Sequence, residues 1–127
     1  MLKKFNVNES ILALFYNSII CSVWQYNLVS WGGNIKDCDK NSIEKLIRRA
    51  GRLANVDFLN YESCFLHKVK SKFDKIMIDH SHPLHDIFEK AIIPRSGRMR
   101  MPIINTNRYR FSFTPQCIKL YNFNFNR

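Results

Sequence analysis

From Ser10 to Gly33 the chain carries no charged side chain, and this stretch constrains the fold more than any other feature of the sequence. Asn8 is a suitable N-cap, Glu9 sits in the favourable first turn, and Val7 with Leu12 fits a hydrophobic staple, so a helix is expected to begin near Glu9. It should stop at Gly32-Gly33. Those limits enclose about 23 residues, or roughly 34 Å of helix. On a helical wheel Ile11, Leu12, Leu14, Phe15, Ile19, Ile20, Val23, Trp24, Leu28, Val29 and Trp31 surround the whole axis, leaving only a thin stripe of Ser18, Ser22 and Gln25. A helix apolar on every side must be buried on most of them, and the shorter helices that follow can scarcely do that alone. The chain is therefore expected to dock on, or continue into, something beyond itself. Lys3 and Lys4 precede this stretch as they would a signal anchor, but Asn17, Gln25 and Asn27 would each be costly in hydrocarbon, which argues against a membrane span.

The next segment separates two chemistries. From about Asp37 to Ala54, helical spacing gathers Ile43, Leu46, Ile47, Ala50, Leu53 and Ala54 on one side and Lys45, Arg48, Arg49 and Arg52 on the other. Four cations along about 10 Å of helix can follow a phosphate backbone, although a solvated outer face has the same composition. Asp37 and Asp39, the only close pair of carboxylates, stand where a helix start needs capping. A third helix is expected over Tyr61–Asp79, with Phe65, Leu66, Val69, Phe73, Ile76 and Met77 on its apolar side. Pro83 fits the first turn of a short fourth helix carrying Leu84, Ile87, Phe88, Ala91 and Ile92, which ends before Pro94. Beyond it, Arg98 and Arg100 alternate with Met99 and Met101 in the manner of an extended strand or arm. A last helix is expected to open with Thr114 as cap and Pro115 at its first position and to run to about Tyr121, with Asn122, Asn124 and Asn126 in a frayed end. The expected fold is thus all-α: four to five helices with a basic, partly extended C-terminal arm, forming an incomplete domain.

Charge is concentrated in that arm. The net charge is +10, and from Lys90 to Arg127 there are eight basic residues and no acid. Such a pole favours polyanions, so nucleic acid leads the partners, ahead of acidic membrane surfaces and acidic small molecules. Arg95, Arg98 and Arg100 are followed by Arg108-Tyr109-Arg110-Phe111-Ser112-Phe113, where guanidinium groups for phosphate alternate with rings on which bases can stack. The plainer reading makes those rings core residues of an amphipathic strand. RNA and DNA are not distinguished.

Other chemistry finds little footing. Cys64, His67, His80 and His85, with His82 in reserve, imitate zinc-finger spacing. Cys64 and His67, however, lie one turn apart within a helical pattern. The set is therefore read as a surface cysteine and histidine plus a histidine-bearing loop before a helix, with no metal and no cofactor. Glycine-rich phosphate loops, nucleophile elbows and the adjacent aspartates of a two-metal polymerase do not occur in the sequence, so no catalytic residue is assigned. The four cysteines contain no C-x-x-C pair and are read as reduced thiols of an intracellular protein, in cytoplasm or nucleus.

Several motifs taken in order resemble one known region. Ile11-Leu-Ala-Leu-Phe-Tyr-Asn-Ser18 leads into Val29-Ser-Trp-Gly-Gly-Asn34. Arg49-Ala-Gly-Arg52, Ser81-His-Pro-Leu-His85 and Arg95-Ser-Gly-Arg98 with Pro102 come next. Thr106-Asn-Arg-Tyr109, Ser112-Phe113 with Pro115, and Ile118-Lys-Leu-Tyr-Asn122 complete the series. Together, over about Leu2 to Asn122, they resemble the C-terminal part of reverse transcriptases from non-long-terminal-repeat (LINE-type) retrotransposons. The resemblance implies that residues 1–54 correspond to the polymerase thumb, which grips the template-product duplex, and residues 55–127 to the basic tail beyond it. It also implies a palm as the missing partner of the first helix. Because the palm's aspartates are not in this sequence, polymerisation by this chain is not expected. The other account is a free-standing basic helical protein that binds RNA, DNA or a protein partner through the same surface.

Overall fold

A computed structural model of the protein describes residues 6–125. Lys3, Lys4, Asn126 and the start of the resemblance at Leu2 lie outside the described residues. Among the described residues the fold is all-α: seven helices and no sheet, rather than the four to five helices expected. They are α1 (residues 9–24), α2 (28–34), α3 (Asp37–Ala54), α4 (Tyr61–Ile78), α5 (His85–Ala91), α6 (Asn107–Arg110) and α7 (Phe113–Phe125).

The chain divides into two compact units. The first holds the residues up to Leu28 together with Ile35–Phe65, and the second holds Val29–Asn34 together with everything from Leu66 onward. Residues on both sides of position 54/55 therefore share the first unit.

In the first unit, α1 starts as the sequence implies, with the Asn8 side chain accepting from the Ser10 amide. The single long helix expected from Glu9 to Gly32 is instead two pieces. Residues Tyr16–Cys21 widen into a π turn, and after Trp24 the chain breaks because Asn27 adopts a left-handed conformation (φ 48°). Asparagine is one of the few side-chain-bearing residues that reach that conformation readily. α1 packs against α3, and Tyr16, Trp24, Leu28, Ile47 and Ala54 are buried. The Tyr16 ring lies 4.2 Å from that of Phe58, and burial pushes its phenol well above the usual range, with Cys21 adding to the effect. Ile11, Leu14, Phe15, Ile19 and Val23 nevertheless stay exposed. α4 is tied to this unit by Glu44, whose Oε1 accepts from the Tyr61 amide at 2.8 Å, and by the Lys40–Glu62 ion pair at 3.1 Å.

The second unit is built round Phe88, which is completely buried. Phe73 meets it edge-on at 5.0 Å and Phe113 at 6.5 Å. Val69, Ile76, Met99, Cys117 and Ile118 fill the rest of this core. Gly33 is required where it stands, because a Cβ there would collide with the carbonyl of Phe111. Three expectations are corrected here. α5 begins at His85, leaving Pro83 in the preceding turn. α7 begins at Phe113 and runs to Phe125, so Thr114 is a helical residue rather than the cap. Asn122 is not frayed: its Oδ1 accepts from the Met99 amide and its Nδ2 donates to the Met99 carbonyl, both at 2.9 Å.

Candidate nucleic-acid interface

α3 has the limits the sequence implies, and its orientation is set by Ile47 and Ala54, which are buried. Ile43 and Ala50 are half-buried on the same stripe, whereas Leu46 and Leu53 remain exposed, so the packed face is narrower than expected. Opposite it Lys45, Arg48, Arg49 and Arg52 are all exposed. Among the described residues none of the four side chains makes a hydrogen bond or an ion pair, while Glu44 and Glu62 serve the α4 start. Four cations without internal side-chain partners within two turns keep their full charge toward solvent, where they can displace the counterions condensed on a polyanion. Asp37 and Asp39 lie inside the first turn of α3, and Lys36, which makes no side-chain cap, holds the N-cap position. The capping role expected of those aspartates is therefore replaced by a charge–dipole interaction.

The other predicted site residues fall in the second unit. Ile92 and Met99 form a single antiparallel bridge, closed by a turn at Pro94–Ser96 and by Gly97 at φ 69°. Met99 is buried, so its neighbours Arg98 and Arg100 point outward, and Arg95 sits exposed in the turn. This basic hairpin is held by the Asn122 clamp and by the Tyr121 hydroxyl, which donates to the Gly97 carbonyl at 3.1 Å. Arg108, Tyr109 and Arg110 are not extended, as the strand-like alternation suggested. They form the single turn α6, because the Thr106 side chain caps it by accepting from the Tyr109 amide. All three are exposed, so the aromatic–cation combination survives in a different backbone.

Replacing Asn122 by alanine is expected to lower stability by about 2 kcal/mol, since it leaves both polar groups of Met99 without partners. Amide exchange at Met99 should be slow in the parent and fast in the variant, and unchanged protection would show that the hairpin is held by other means.

The cysteine and histidine residues find structural employment. Cys64 is buried, not on the surface as expected, while His67 is exposed. His85 is buried with its Nδ1 3.0 Å from the Ile76 carbonyl and its Nε2 2.9 Å from Nδ1 of His80. The carbonyl can only accept, so the His85 Nδ1–H donates to Ile76, and its Nε2 shares a hydrogen bond with Nδ1 of His80. His82 accepts from the Leu84 amide, and Ser81 hydrogen bonds hold the Asp79 carboxyl below the usual carboxylate range. Among the described residues no group of three His, Cys, Asp or Glu could hold a metal ion. All four cysteines are free, and burial pushes the Cys117 thiol up to about 12, which leaves it protonated and inert near neutrality. No helix among the described residues is long and apolar enough to cross a membrane.

One arrangement was not read from the sequence. At the C-terminal end of α3 an open groove of about 420 Å³ is lined by Ile47, Arg48, Gly51, Arg52 and the loop Asn55–Phe58. Asn55 turns the chain there in a left-handed conformation (φ 52°), and its amide bonds back to the helix. A Cβ at Gly51 would stand 2.9 Å from the Val56 carbonyl, so glycine lets the loop lie close against α3. An asparagine directly after the last apolar position is the sequence signal for such a turn. Compared with models of known protein families, with curated proteins and with solved structures, the chain matches none.

Proposed function

We propose that this chain is a nucleic-acid-gripping segment, the thumb and basic tail of a LINE-type reverse transcriptase, and that it holds sugar-phosphate backbone without making or breaking bonds. The observation that carries the proposal is the outer face of α3, where Lys45, Arg48, Arg49 and Arg52 are exposed and unpaired while Ile47 and Ala54 anchor the opposite side. Arg95, Arg98, Arg100, Arg108, Tyr109 and Arg110 supply a second cationic set with a ring for stacking. A self-sufficient basic adaptor could use the same charges. The exposed Ile11, Leu14, Phe15, Ile19 and Val23 of α1 favour the polymerase reading, since a palm is the partner that would cover them.

The test changes Arg48, Arg49 and Arg52 together to alanine. Three lost phosphate contacts should weaken binding to a single-stranded oligonucleotide roughly 50-fold at 0.15 M salt. The melting temperature should hardly move, because exposed side chains away from the core contribute little. A collapse of folding, or unchanged affinity, would refute the assignment.

A further inference from the structure

Three side chains of α7 hold one surface turn in place. The Tyr121 hydroxyl donates to the Gly97 carbonyl at 3.1 Å, and Asn122 bonds both the amide and the carbonyl of Met99 at 2.9 Å. Phe125 closes over the tip: a Cβ at Gly97 would stand 2.7 Å from its ring, and Gly97 itself is at φ 69°, so only glycine fits there. Across the hairpin the Ile93 amide donates to the Arg98 carbonyl and the Arg100 amide to the Ala91 carbonyl, both at 2.7 Å. The backbone that carries Arg95, Arg98 and Arg100 is thus fixed at its tip, its middle and its base. Met99 is buried, so Arg98 and Arg100 leave the same outer face two residues apart, about 7 Å along a strand. That step is close to the one between successive phosphates of a nucleic-acid strand. Charge alone would not require such support, since a loose basic arm delivers the same cations to a polyanion. Fixing the backbone in advance lowers the ordering cost of binding most for a target whose own charges are fixed in space. A duplex holds its phosphates in a regular helical array, whereas a single strand can mould itself to any arrangement of cations.

We infer that the hairpin of residues 92–100 is a pre-organised clamp for the sugar-phosphate backbone of double-stranded nucleic acid, and that Tyr121 and Asn122 are positioning residues that set the spacing of its guanidiniums. The inference rests on the proposed nucleic-acid role of the chain and deepens it, giving the tail the same duplex partner as the thumb-like α3. It is separable from that role, because loosening the hairpin removes no charge. A surface that works by net charge alone is indifferent to such a change, whereas a clamp loses its grip on the duplex and keeps its hold on a flexible strand.

Fluorescence anisotropy with the full chain provides the test, using a labelled mixed-sequence 12-mer annealed to its complement and the same 12-mer alone. The parent should bind the duplex more tightly than the single strand. Asn122→Ala frees the Met99 backbone and should weaken duplex binding about tenfold while changing single-strand binding by less than about twofold. Tyr121→Phe keeps the ring against Phe73 and loses only the bond to the Gly97 carbonyl. It should weaken duplex binding about threefold and lower the melting temperature by no more than about 5 °C. If circular dichroism shows Asn122→Ala to be unfolded, Tyr121→Phe decides alone. Duplex affinity unchanged in a folded variant, an equal fall for both probes, or tighter binding of the single strand by the parent overturns the clamp and leaves the cationic face of α3 standing. Binding to neither probe removes both.

Discussion

Phe88→Ala is expected to destabilise the second unit by about 3–5 kcal/mol, the usual cost of emptying a fully buried phenylalanine site. The ring has no solvent exposure and is met by Phe73 and Phe113, two rings carried on different helices, so neither can collapse into the space without losing its own packing. Phe88→Leu keeps most of the volume and should cost under about 1.5 kcal/mol. Urea unfolding of the three proteins, followed by the exchange protection of α5 amides, measures both values. A loss below 1 kcal/mol for alanine would show that Phe88 is not the centre of this core.

That residue was legible in advance as an apolar position on a helix with i, i+3, i+4 spacing, and so was most of the helical framework. α3 and α4 lie where the sequence puts them, because each combines an unbroken 3.6-residue apolar period with turn-forming residues at its ends. Two of the misreadings share a physical cause. Asn27 interrupts an otherwise perfect apolar helix, and Thr106 converts an alternating segment into a helical turn. In both places one polar residue's local bonding or backbone preference outweighs the pattern around it. The cationic face of α3 was legible because charge and apolarity segregate at helical spacing. Asn122 and the groove were not. Asn122 acts across 23 residues of sequence on the Met99 backbone, and the groove depends on how closely Val56 approaches Gly51. Such long-range and backbone contacts leave no periodic trace.

The exposed apolar side of α1 belongs to the same account. Five large side chains are left in water on a helix whose other side is packed, and the proposed palm contact would cover them. The charge distribution is independent of this and stands or falls separately.

The most direct measurement of the central claim is the salt dependence of binding to a single-stranded 12-mer. Counterion release gives a slope of about 0.7 per phosphate contacted, so with about six contacts a rise from 50 to 200 mM salt should weaken binding roughly 300-fold. In the Arg48, Arg49 and Arg52 triple-alanine variant the slope should drop by about 2, three contacts' worth. A steep slope that flattens in the variant is the predicted result; a slope near zero, or one that the variant leaves unchanged, contradicts the claim that these guanidiniums hold a sugar-phosphate chain.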